Sequence, residues 1–122
     1  MSSFRKFEDI LAWQKARMLT KRVYQVTRQE EFARDYGLRD QIRRASVSIM
    51  ANIAEGFGRK TNKEFANFLV MSHGSAAEVQ SHLYIALDLT YIDDETFKEL
   101  YALVDEISRM IMALCQHLLK TA

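Results

Sequence analysis

The chain contains no proline. Proline ends or kinks a helix because its ring removes a backbone donor and clashes with the preceding turn, so nothing along these 122 residues stops a helix outright. Glycine occurs only at Gly37, Gly56, Gly58 and Gly74, too seldom for the tight turns of a hairpin-rich protein. Hydrophobic spacing then shows where helices run. Ala12, Ala16, Leu19, Val23 and Val26 share one stripe of a segment from about Glu8 to about Gln29, the spacing of a face buried against other helices. Residues 30–37 read as a connection. Leu38, Ile42, Ala45, Ile49 and Ile53 form a second stripe, ending near Gly56-Phe57-Gly58, where glycine predicts a left-handed C-terminal cap.

Thr61-Asn62-Lys63-Glu64 has the form of a capping box. It opens a third segment striped by Phe65, Leu69, Ser72, Ala76, Val79, Leu83 and Ala86, to about Thr90. Small residues at its middle (Ser72, Gly74, Ser75, Ala76, Ala77) would let another helix approach closely. Asp93 is placed to cap a fourth segment, where Phe97, Leu100, Val104, Ile107, Ile111, Leu114 and Leu118 alternate in steps of three and four. Four amphipathic helices with short connections predict an all-α, antiparallel up-and-down four-helix bundle, one domain over residues 1–122.

Composition narrows the function. A single cysteine, Cys115, excludes an internal disulfide framework and fits a reducing compartment. No apolar run approaches the ~20 residues that span a bilayer, and the first residues lack the apolar stretch of a secretory signal. These features predict a cytoplasmic protein without a membrane partner. His73, His82 and His117 have no metal-ligand spacing, Glu78 and His82 stand four apart rather than three, and no phosphate-cradling glycine loop occurs. No enzyme, metal or cofactor is predicted, and Cys115 reads as a buried thiol.

Charge is divided along the chain. Residues 1–63 hold 14 Lys/Arg against 7 Asp/Glu, whereas residues 64–122 hold 3 against 9. Such polarity implies an anionic partner on one side or self-association of opposite faces. Lys15, Arg17, Lys21, Arg22, Arg39, Arg43, Arg59, Lys60 and Lys63 are the candidate nucleic-acid-binding residues, since cations bind phosphate backbones through counterion release without a sequence-reading motif. Trp13, Tyr24 and Tyr36 lie among them, as stacking platforms for unpaired bases or as ordinary packing.

The second helix carries two further features. Val47, Met50, Ala54 and Phe57 lie away from its main stripe, so the helix is covered on two sides, by deeper burial or by a neighbouring subunit. Arg44, Ser48, Asn52, Glu55 and Arg59 line a polar stripe, which is either an anion site or a structural network reaching the third helix through Glu78.

The run Gln41-Ile42-Arg43-Arg44-Ala45-Ser46-Val47-Ser48-Ile49-Met50-Ala51-Asn52-Ile53-Ala54-Glu55-Gly56-Phe57-Gly58-Arg59 resembles the signature of one family, the four-helix bundle proteins encoded by intervening sequences within 23S ribosomal RNA genes. Relatives of that fold are accessory variability proteins of diversity-generating retroelements. Phe7-Glu8-Asp9-Ile10-Leu11-Ala12-Trp13-Gln14-Lys15-Ala16, Phe68-Leu69, Gly74-Ser75 and Glu78 extend the likeness over essentially the whole chain. The resemblance implies a ring-shaped homopentamer with a basic surface, and partners that include nucleic acid and a reverse transcriptase in the retroelement members. The chain departs from the pattern at Met50, where relatives carry proline, and at Gln80-Ser81-His82, where they show Glu-Thr-Gln. The resulting expectation is a non-enzymatic oligomeric bundle that binds RNA through a basic surface, as accessory to a ribonucleoprotein or reverse transcriptase. The alternative is a structural adaptor whose opposite charges are used up in self-assembly.

Overall fold

Each of the four hydrophobic stripes becomes the inner face of a helix in the computed structural model, which describes residues 4–120. Every regular element among the described residues is helical: a single 3-10 turn at Phe7–Asp9, α1 (Leu11–Thr27), α2 (Glu30–Arg34), α3 (Tyr36–Phe57), α4 (Asn62–Asp88) and α5 (Asp94–Lys120). All the stripe residues are buried, apart from Phe97 and Leu114, which are half-buried against the same core. The helix α3 packs on α1 and α4, and α5 packs on α4 and α1. The four long helices therefore enclose one apolar core as a helical bundle.

Three caps are as the side chains dictate. The Thr61 hydroxyl accepts the Glu64 amide at 3.1 Å, and the Asp93 carboxylate accepts the Thr96 amide at 2.8 Å. Asp35 caps α3 by accepting the Leu38 amide at 3.1 Å, so that helix opens at Tyr36 rather than at Leu38. The second oxygen of Asp35 accepts the Tyr91 hydroxyl at 2.9 Å, which ties the start of α3 to the turn between α4 and α5.

Elsewhere the structure corrects the sequence reading. The first helix begins at Leu11, not near Glu8, because Ile10 is extended (φ −77°, ψ 118°) between the 3-10 turn and α1. The stretch expected to be a plain connection contains α2, whose Phe32 is buried and stacks on Tyr91 with ring centroids 5.1 Å apart. Five residues are too few for a helical period to show.

Glycine does not supply the left-handed cap expected after α3, since Gly58 has φ −78° and is right-handed. Gly56 is needed instead for close approach: a Cβ there would sit 2.7 Å from Phe68 Cβ and 3.0 Å from Phe65 Cδ1 on α4. The left-handed cap falls at Thr90 (φ 59°), after α4. There the Tyr91 amide reaches back to the Ala86 carbonyl at 2.9 Å and the Thr90 amide to Leu87 at 3.0 Å, the bonding pattern of a Schellman motif.

Two substitutions test these assignments by thermal or urea unfolding. Gly56→Ala, which ordinarily favours a helix, is expected to destabilise the protein by about 1–3 kcal/mol through overpacking. Thr90→Gly is expected to stabilise it by about 1 kcal/mol by relieving a β-branched residue in left-handed geometry. A neutral or stabilising Gly56→Ala would show that α3 and α4 do not meet at this distance.

Candidate nucleic-acid interface

The buried stripe of α1 turns Arg17 and Lys21 outward, while Lys15 and Arg22 lean toward α5. Lys15 lies 3.3 Å from Glu106. Arg22 grips Glu99 with two parallel bonds of 2.8 and 3.0 Å, the fork geometry that suits guanidinium to carboxylate. Hydrogen bonding from Arg22 holds the Glu99 carboxyl below its ordinary range, and the same bond raises the Arg22 guanidinium.

Three other candidates are engaged by their own neighbourhood. Arg39 bonds Asp40 at 3.0 Å and the Ala33 carbonyl at 3.1 Å, and it lies over the Tyr36 ring. Arg43 donates to the Thr27 hydroxyl at 2.8 Å and covers the Tyr24 ring, 4.6 Å from its centre. Arg59 pairs with Glu55 at 2.9 Å and covers Phe68. Arg17 sits 5.9 Å over Trp13, which is itself half-buried with its ring set edge-on to Phe7.

Arg17, Lys21, Arg43, Lys60 and Lys63 have no carboxylate partner among the described residues. They do not form one patch. Arg17, Lys21 and Arg43 lie on the outer α1/α3 side, whereas Lys60 and Lys63 flank the turn into α4. Seventeen residues of mostly helical chain separate Arg43 from Lys60, about 25 Å at helical rise.

The polar stripe of α3 is knitted internally. Asn52 donates to the Ser48 carbonyl at 2.9 Å and to the Ser48 hydroxyl at 3.0 Å, and that hydroxyl also meets Ser75 of α4 at 2.9 Å. The link to α4 expected through Glu78 thus runs through Ser75, because Ser75 is buried while Glu78 faces outward. Arg44 and Glu78 line a shared depression with Gln41, Ala45 and Ser48, without an ion pair between them. Two further cross-helix bonds were not legible in the sequence: Ser72 to the Ile49 carbonyl at 2.7 Å, and Thr20 to the Ser46 carbonyl at 3.2 Å. Their only signal was a hydroxyl on or beside an apolar stripe.

The second apolar side of α3 is gathered only in part. Val47, Met50 and Ala54 join Ala51, Phe7 and Trp13 around an open apolar depression of about 290 Å³. Phe57 lies elsewhere, edge-on to Phe65 and packed against the core.

His82 is half-buried, and its Nδ1 has no hydrogen-bond partner among the described residues. No group of three or more His, Cys, Asp or Glu among the described residues could hold a metal ion. Cys115 is buried against the Ala66 carbonyl, and burial pushes its thiol pKa up. No helix among the described residues is long and apolar enough to cross a membrane.

A sequence profile of the 23S rRNA-intervening sequence proteins matches residues 8–113. The chain belongs to that family. A solved structure from Bacteroides thetaiotaomicron, of a protein with unknown function from the S23 ribosomal protein family, superposes with a TM-score of 0.79 at 22% identity. It covers 86% of this chain and 98% of its own, and at that identity the likeness concerns the fold alone. None of the curated proteins matches the sequence.

In this 23S rRNA-intervening sequence protein the Arg22–Glu99 pair gives a pH test. Because the folded-state pKa of Glu99 is depressed by Arg22, its contribution is present above the unfolded value, about 4.3, and is lost as pH falls through the folded value. The pair is largely exposed, so Glu99→Gln should cost only a few tenths of a kcal/mol at pH 7. The variant should also lose less stability than the parent on acidification to pH 3, measured by urea unfolding.

Proposed function

We propose that this protein is a non-enzymatic, cytoplasmic, up-and-down four-helix bundle that self-assembles and binds RNA through its basic side. The helix order is supported by the residue pairings. Lys15 with Glu106 and Arg22 with Glu99 run in opposite senses along α1 and α5, as do Ser48 with Ser75 and Ile49 with Ser72 along α3 and α4. The observation that carries the RNA reading is the set of candidate cations left without carboxylates among the described residues: Arg17 and Lys21 on α1, Arg43 on α3, and Lys60 and Lys63 around the start of α4. Copied around the homopentameric ring that the family resemblance implies, these would make a repeated positive surface for a phosphate backbone. The same resemblance makes a reverse transcriptase or another ribonucleoprotein the natural host complex.

The adaptor reading has its own support, since Glu106 and Glu99 take Lys15 and Arg22 out of the basic surface, while exposed Arg44 and Glu78 have no ion-pair partner among the described residues and are open to pairing between copies. Salt dependence separates the two. Fluorescence anisotropy with a structured RNA should show affinity falling at least about tenfold between roughly 50 and 200 mM salt. Lys21→Glu, Lys60→Glu and Lys63→Glu should each reduce the slope of that dependence, by about one where the lysine meets a phosphate. Salt-independent binding, or three variants that bind like the parent, would leave the adaptor as the better account. Light scattering tests self-assembly separately: a monomer of 14.2 kDa at micromolar concentration would remove it.

A further inference from the structure

Between Phe65 and Leu87 the only charged residue (Asp, Glu, Lys or Arg) is Glu78. One face of α4 fills the core, yet its outer face is also apolar: Val70 (55% exposed), Met71 (49%) and Ile85 (43%) stand in water beside Gly74, Ala77 and Ser81. A surface helix ordinarily carries charge on that side, and one that is apolar all round is a covered helix. Apart from the adjoining residues and backbone of its own helix, no heavy atom among the described residues comes within 4 Å of where a Cβ on Gly74 would stand. A second element could therefore come close along this line.

The same chain carries a matching socket. On the outer α1/α3 side the depression is floored by Phe7, Trp13, Val47, Met50, Ala51 and Ala54. Val47 also borders a second depression formed with Tyr24, Asp40, Arg43 and Arg44. Arg39 holds Asp40, and neither Arg43 nor Arg44 has a carboxylate partner among the described residues. On the α4 face Glu78 and Asp88 are exposed and have no cation partner among the described residues.

We infer that the outer face of α4 in one copy docks into the α1/α3 depression of the next, with one acid of that face, Glu78 or Asp88, meeting Arg43 and Arg44. The floor is largely aliphatic, and the Trp13 ring is taken up by Phe7 and Arg17, so the depression suits the side chains of a helix better than stacked bases. Arg43 and Ala54 stand eleven positions apart on one helix, about 16 Å and three turns, the length of the α4 face from Val70 to Ser81, with Ile85 one turn beyond. Plug and socket are different surfaces, so the contact is heterologous and propagates head to tail, closing into a ring where the rotation between copies permits and otherwise continuing as a filament. Lys21 on α1, and Lys60 and Lys63 near the start of α4, line neither depression, whereas Arg17 covers Trp13 at the edge of the socket.

The inference rests on the self-assembly reading above, and one experiment separates their failures. In the full chain carrying Cys115→Ala, Ala51→Cys marks the socket and Ala77→Cys the plug; both alanines are exposed. Circular dichroism confirms that each variant remains helical, and light scattering gives its mass. A short bismaleimide should cross-link a mixture of the two single variants into dimers and leave each variant alone uncross-linked. It should convert the double variant into a ladder of higher species. Ala77→Arg should reduce the assembly to a folded monomer. Cross-linking of Ala77→Cys to itself, or no cross-linking in a mixture that scatters as an oligomer, overturns the plug and socket while leaving self-assembly standing. A folded monomer in the parent and in every cysteine variant overturns both.

Discussion

The approach of α3 to α4 is the contact on which the rest of the molecule depends. Gly56 admits Phe65 and Phe68 where any larger residue would collide with them. A few turns away, Ser72 donates to the Ile49 carbonyl and Ser75 meets Ser48. Small residues and hydroxyls let two helices come near and then satisfy the polar atoms that the proximity buries. With that spacing set, α1 closes on one side of α3 and α5 on the far side of α4. The outward aspect of α3 then presents Val47, Met50 and Ala51 beside Arg43 and Arg44.

Electrostatics follows from this geometry rather than from the charge totals. A chain with basic and acidic halves cancels part of its polarity when α1 lies against α5, and Lys15 and Arg22 are neutralised in that way. Arg39, Arg43 and Arg59 are spent partly on aromatic rings and local acceptors. What survives without a carboxylate among the described residues is a smaller set, divided between the α1/α3 side, with Arg17, Lys21, Arg43 and Arg44, and the start of α4, with Lys60 and Lys63. Any polyanion would therefore contact the protein at separated points rather than along one continuous stripe.

Much of the fold was legible in advance. Period-3.6 spacing named the inner face of all four long helices, because burial of an amphipathic stripe is a local property repeated over many turns. The caps at Thr61 and Asp93 were readable because a hydroxyl or carboxylate at that point has few other uses. Short or exceptional elements escaped: α2 is too brief for a period, and Thr90 sits in a backbone region where glycine is the usual signal. Gly56 was noticed for the wrong reason, since a glycine that bends the backbone and one that makes room for a neighbour look identical in a sequence.

The candidate site was less legible. Which residues were cationic was plain, but whether each faced solvent, a carboxylate or a ring depended on helices far away in the chain, as Arg22 with Glu99 shows. The amino-acid sequence by itself determined that the chain would be helical, which faces would be inside, and that charge would be unequally shared. Only the tertiary structure decided which cations remain available, that Ser75 rather than Glu78 joins α3 to α4, and that α4 is left with an apolar outer face. The reason is physical: helix formation and burial are set by neighbours within a turn or two, whereas ion pairing and exposure are set by which helices come to lie side by side.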